Sequence, residues 1–174
     1  MENKINWGIS SEFFLPKKLE NSQEGREILE VLNRHLRPVS QWNELNVPSF
    51  PVSESLVNSL HSARRTGRLV QGFEDSAKKL KAERTGIANI DIKTGFKRNE
   101  RISRVAVIAN DGSERFYRQT KRLIEQNMPR VLAIYLDVTS FELGERLFGP
   151  GKRALFLLIH HKDAVTEFLT SLIR

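Results

Sequence analysis

No cysteine occurs in this chain, which excludes disulfide stapling and thiolate chemistry and suits a reducing, cytoplasmic home. No apolar run approaches the roughly 20 residues a membrane helix needs, so no membrane partner is expected. The opening residues, MENKINWGISSEFF, lack a basic stretch followed by a long apolar one, and no signal peptide is predicted from them. There is no P-loop, no nucleotide-binding G-x-G-x-x-G and no Ser/His/Asp set. Internal repeats and low-complexity tracts are missing too. With no catalytic constellation, the chain is expected not to be an enzyme and to need no cofactor or metal.

What is present is enough apolar material for a core, with 39% hydrophobic residues in 174, and a charge that is unevenly spread. Residues 1–52 carry a net charge of −1 and residues 53–174 a net of +8. A basic surface confined to one segment is the footprint expected of a nucleic-acid partner, although a solvated basic face explains charge alone equally well.

Residues 1–20 read as irregular, with Trp7, Phe13, Phe14 and Leu15 as docking anchors. Residues 22–37 read as a helix capped by Ser22 and ended by Pro38, with Ile28, Leu29, Val31, Leu32 and Leu36 as its apolar stripe. Three prolines, Pro38, Pro48 and Pro51, mark residues 38–52 as a linker. The first 52 residues are therefore expected to be a helical extension. From Ser53 the pattern is regular: a helix to Thr66, a short strand at Leu69–Val70, and a helix from Gly72 to Glu83. The polar, basic stretch 84–101 reads as an insertion loop carrying Arg84, Lys93, Lys97, Arg98 and Arg101. It leaves the helix about 18 Å from Gly72. Strands follow at Val105–Ala109, Val131–Leu136 and Ala154–Ile159. Helices follow to Asn127, from Ser140 to Phe148 and from Asp163 to Ile173. Asp111 with Glu114 resembles a capping box. Continuous apolar strands alternating with helices predict an α/β fold. It is a three-layer α/β/α sandwich over residues 53–174 with a mixed sheet of about four strands.

Two metal-site patterns are discounted. Asp91-Ile92-Lys93 has the form of a nuclease D-x-K tail, with Glu83 or Asp75 as a second ligand, but it sits in a polar insertion. His160 and His161 at a strand end point to opposite faces, which leaves Asp163 to serve the helix entry.

The segments ARRTGRLVQGFEDSAKKL (Ala63–Leu80), VAVIANDGSE (Val105–Glu114) and ELGERLFG (Glu142–Gly149), in this order, resemble the ribosomal protein L-seven-Ae/L-thirty-e superfamily, its bacterial members above all. The resemblance covers residues 55–174. It implies a non-enzymatic sandwich that binds structured RNA, kink-turns or related bulged helices, in ribosomes or other ribonucleoproteins. The family's RNA-facing helix opens with a glycine, any residue, Asn or Asp, Glu, two residues and Lys. The matching positions are Gly72, Phe73, Glu74, Asp75 and Lys78. Glu74 departs from the pattern: an ionised glutamate only accepts hydrogen bonds, whereas asparagine also donates. The family's second contact loop corresponds to Gly149–Arg153, where Lys152 and Arg153 can neutralise phosphates. Arg64, Arg65 and Arg68 flank the same edge. Ribosomal or other proteins could dock on the N-terminal extension. Glu74 also leaves open an interaction module that keeps the sandwich and has lost kink-turn binding.

Overall fold

Hydroxyl side chains start four of the helices. Ser22, Ser53, Ser113 and Thr139 each accept the backbone N–H of the residue three positions on, which satisfies one of the free donors of a first turn. They open α1 (Gln23–Arg34), α2 (Glu54–Arg65), α4 (Glu114–Asn127) and α5 (Ser140–Phe148). In α6 (Lys162–Ser171) the cap is the His161 ring, which accepts from Asp163 N at 3.1 Å. Among the described helices, α3 (Phe73–Thr94) alone begins on a glycine with no side-chain cap. This computed structural model describes residues 14–39, 45–95 and 101–174. Trp7, Phe13, Lys97 and Arg98 lie outside the described residues.

The strands are β1 (Leu36–Val39), β2 (Leu45–Phe50), β3 (Leu69–Gln71), β4 (Arg104–Ile108), β5 (Val131–Leu136) and β6 (Phe156–Ile159). They form one mixed sheet in the order β1-β2-β5-β4-β6-β3. β2, β5 and β4 run parallel, and the pairs β4/β6, β6/β3 and β1/β2 are antiparallel.

Period-2 alternation splits the core between two faces. Val105, Val107, Leu132, Ile134, Leu157 and Ile159 face α1, α2, α5 and α6. Ala106, Ile108, Ala133, Phe156 and Leu158 face α3 and α4. The fold is therefore the expected α/β/α arrangement.

Three expectations are corrected. The sheet has six strands, not four: residues 53–174 supply four, and the other two come from the segment read as helix and linker. Pro38 is tolerated because β1 is an edge strand, where a missing N–H leaves no ladder bond unmade. Second, residues 84–94 are helix rather than loop. Gly86 costs the helix about 1 kcal/mol relative to alanine, not enough to stop it. α3 ends at Gly95, whose φ of 63° is the left-handed conformation of a helix stop and whose N–H returns to the Asp91 carbonyl at 2.9 Å. Its 22 residues span about 33 Å, so its end lies well beyond the 18 Å expected. Of the basic residues there, Arg101 pairs with Glu20 at 2.9 Å, and Arg84 faces Gln126. Third, Asp111 is no cap of α4; it accepts from Ser140 N at 2.8 Å and Ser140 Oγ at 2.9 Å, tying the β4 exit to the start of α5.

The N-terminal segment shares the main core. Leu15, Leu19, Ile28 and Leu32 are buried with α2 and α6, and the His35 ring stacks on Phe50 with centroids 4.5 Å apart.

Candidate nucleic-acid interface

The interface begins at the end of β3. Gly72 has φ 99° and ψ 149°, a conformation that disfavours any side chain, and a Cβ there would meet nothing within 4 Å. The turn is therefore open to a close-approaching ligand. Its N–H bonds the Phe156 carbonyl at 2.9 Å, which anchors the turn to β6. Ser76 N returns to the Gly72 carbonyl at 3.3 Å, and Ser76 Oγ reaches the same oxygen at 2.6 Å. Within the first turn the N–H groups of Phe73, Glu74 and Asp75 precede the helix's own ladder, and no side-chain cap covers them.

An aromatic cluster holds this turn in place. Phe73 packs edge-on to Phe116 (6.1 Å) and Phe156 (5.6 Å), and Phe116 packs edge-on to Tyr117 (5.2 Å). α3 and α4 thus keep their N-terminal turns together above β6. The Tyr117 hydroxyl donates to the Ala109 carbonyl at 2.7 Å and accepts from Gly112 N at 3.0 Å. Burial pushes its pKa up to about 12, so it stays protonated.

The second contact segment, residues 149–153, is brought to the same edge. Gln71, the residue before Gly72, donates from Nε2 to the Arg153 carbonyl at 2.8 Å. On the other side the loop lies against α5 at Gly144, where a Cβ would collide with the Lys152 carbonyl and the Arg153 backbone. Ala154 N bonds the Ser140 carbonyl at 2.8 Å. Gly149 (φ 100°) and Gly151 (φ 76°) supply the two bends between them. Loop and helix start are thus one built edge. Gly144→Ala is expected to push the loop away and lower stability by about 1–3 kcal/mol, the range for overpacking, as read in a urea titration.

The predicted residues separate into groups. Gly72, Glu74, Asp75, Lys78, Lys152 and Arg153 belong to this edge. All but Gly72 are exposed, and Lys78, Lys152 and Arg153 form no ion pair among the described residues. Arg64 reaches the edge but is engaged: its Nη1 donates to the Leu147 carbonyl at 3.1 Å, and its guanidinium sits 5.1 Å from the Phe148 ring centroid. It closes the C-terminus of α5. Arg65 points elsewhere, into a groove of about 730 Å³ between α2 and α6 that also holds Glu54 and Glu167. Arg68 stands at the far end of β3. Its carbonyl accepts from His160 N at 3.0 Å, and the strand carries it about 13 Å from Gly72. There it joins the cations around Asp163, whose carboxyl is held below its ordinary value chiefly by the hydrogen bond from Lys18. The expectation that all three arginines flank one edge is thus corrected for Arg65 and Arg68.

One group escaped the sequence reading. Arg115, Arg118 and Arg122 are exposed on α4, on the side opposite buried Tyr117, Thr120 and Ile124. Their spacing of three and four residues is a helix-face signal visible in the sequence. They give a basic outer face to α4, whose first turn packs on the α3 start through Phe116 and Phe73.

Other motifs are spent on structure. Glu83 accepts from Arg104 Nε (3.1 Å) and Arg130 Nη2 (2.9 Å), so it is no free metal ligand. Asp75 and Asp91 are separated by about 24 Å of one helix and cannot share a cation. No helix among the described residues is long and apolar enough to cross a membrane. Neither known family models nor curated proteins give a match to this chain.

Proposed function

We propose that this protein is a non-enzymatic, cytoplasmic RNA-binding protein that recognises a structured RNA, a kink-turn or bulged helix, as part of a ribosome or other ribonucleoprotein. The observation that carries the reading is the Gln71–Arg153 hydrogen bond, which sets an uncapped helix start beside a glycine-bent basic loop. Lys78, Lys152 and Arg153 neutralise phosphates, and Arg64 lends the free part of its guanidinium. The open Gly72 turn receives an unstacked nucleotide, because RNA is read mainly at bulges and loops. Arg115, Arg118 and Arg122 meet the flanking stem.

Glu74 and Asp75 favour a second reading. Two exposed carboxylates in the same first turn stabilise the helix dipole but repel phosphate. That charge suits a module that binds a protein partner on the same fold.

A titration of a labelled kink-turn RNA and an unbulged duplex of equal length, at several salt concentrations, separates the two. The RNA reading expects selective binding to the kink-turn. Lys78→Glu with Lys152→Glu should lower the log–log salt slope by about 0.7–0.9 per lost phosphate contact. Glu74→Asn should tighten binding by removing a negative charge and adding a donor. Equal, weak binding to both RNAs that vanishes with salt sinks the RNA reading and directs the search to protein partners.

A further inference from the structure

The sheet has two outer strands, β1 and β3, and their open sides are finished differently. In β1, Ser49 N bonds the His35 carbonyl, and from there the antiparallel ladder alternates. The backbone groups of Leu36 and Pro38 therefore point away from β2. Pro38 has no N–H to offer, and Arg37 Nη1 donates to the Leu36 carbonyl at 2.9 Å. That edge is blunted against a further strand.

At β3 the same alternation leaves the edge open. The Arg68 carbonyl accepts from His160 N, and Gly72 N donates to the Phe156 carbonyl. The N–H and C=O groups of Leu69 and Gln71 therefore point out of the sheet. Among the described residues none of these four backbone groups has a hydrogen-bond partner. The Gln71 side chain is committed to the Arg153 carbonyl at 2.8 Å. Leu69 and Val70 are half-buried, each at the rim of a different core. Backbone pairing and apolar cover are thus both incomplete along one line, and an added strand completes both.

The charge around this edge chooses the occupant. Arg68 stands at its first end, and the Lys152–Arg153 segment lies beside its last, held there by Gln71. Glu74 and Asp75 follow in the first turn of α3, opposed by Lys78 and the two loop cations. A second copy, paired β3 to β3 about a twofold axis, brings the Arg68 end of one to the Lys152–Arg153 end of the other, like charge against like. An extended segment with carboxylates at both ends meets attraction instead. Three residues make a short ladder, so these end charges add to the backbone bonds.

We propose that β3 is a docking edge for an acidic, extended segment of a partner protein, which adds a strand to the sheet. Its backbone pairs with Leu69 and Gln71, and its apolar residues lie beside Leu69 and Val70. Its carboxylates meet Arg68 at one end and Lys152 and Arg153 at the other. The proposal does not rest on RNA binding at the Gly72 turn.

The test uses the full chain and a labelled peptide, EDVIVDE. Its comparators are KKVIVKK, EDVIVDE with its central amides N-methylated, and a labelled kink-turn RNA. In fluorescence anisotropy the acidic peptide is expected to bind about tenfold or more tighter than the basic one, since attraction at both ends becomes repulsion. N-methylation should abolish binding, because it removes the donors of the added strand. Leu69→Pro removes an outward N–H and no bond to β6, and should weaken the acidic peptide about three- to tenfold, the effect of one hydrogen bond; thermal melts confirm folding. In the native protein, bound peptide should slow hydrogen exchange at the Leu69 and Gln71 amides, a reading that needs no variant. No binding, equal binding of acidic and basic peptides, or binding that leaves both amides unprotected overturns the proposal. Protection of the two amides by the RNA alone, or by dimerisation seen in sedimentation, gives the edge to that occupant and overturns it as well.

Discussion

Phe156→Ala is expected to lower the unfolding free energy by about 3–5 kcal/mol, the range for removing a fully buried aromatic ring. For a chain of this size that shifts the melting midpoint by roughly 10 °C. The ring is 1% exposed and is the common contact of Phe73 and Phe116. The carbonyl of the same residue holds the Gly72 N–H. The loss is therefore local as well as global: the α3 start, the α4 start and the entry of β6 loosen together. Phe168→Ala provides the control. It removes an equally buried ring from the opposite core, against α2, with no contact to the Gly72 turn. Both variants should lose similar stability in a urea titration. Only Phe156→Ala should raise hydrogen exchange at Gly72 and Phe73 beyond what the global loss accounts for. If the two variants show the same local exchange, the cluster does not hold the edge.

Glu83→Gln should cost about 2–3 kcal/mol at neutral pH. That is less than the loss of one partner of a fully buried pair, because the glutamate side chain remains 18% exposed. The carboxylate binds two arginines, Arg104 in β4 and Arg130 just before β5, and so ties the middle of α3 to the sheet. Burial pushes its pKa up, but the hydrogen bonds and charges of Arg104 and Arg130 outweigh this and hold it below the ordinary 4.5. A carboxyl with a lowered folded pKa contributes stability that is fully present above about pH 4.5 and is lost as pH falls through the folded value. The gap between the native protein and Glu83→Gln should therefore be widest at neutral pH and shrink in acid. Urea titrations at several pH values read this directly, and a gap that stays constant to low pH contradicts the ion-pair account.

Some of this protein was legible in its residues because the determining forces are local. Val131–Leu136 is a short run of apolar and β-branched residues, the pattern of a strand buried on both faces, and it is β5. Ser140–Phe148 carries its threonine cap and its apolar stripe within a few residues, and it is α5. Gly72 announces a special backbone conformation, and the loop glycines announce two more.

Other features depended on partners far along the chain. Residues 45–50 contain a proline and polar neighbours, and they became β2 because β5 offered an unpaired edge at Tyr135 and Leu136. The second half of α3 carries two exposed isoleucines, Ile90 and Ile92, so no apolar stripe announced a buried helix there. The helix continues nonetheless, pinned by Glu83 and stopped by Gly95. Arg64, Arg65 and Arg68 looked equivalent as a basic run, yet helix rotation turns Arg65 into the α2/α6 groove, and strand length carries Arg68 away from the loop. The sequence determined the kinds of element and the residue types at the Gly72 edge, since propensity, capping and alternation act over a few residues. The tertiary structure decided which basic residues share that edge and which are spent elsewhere, since side-chain direction and pairing are set by neighbours dozens of residues away.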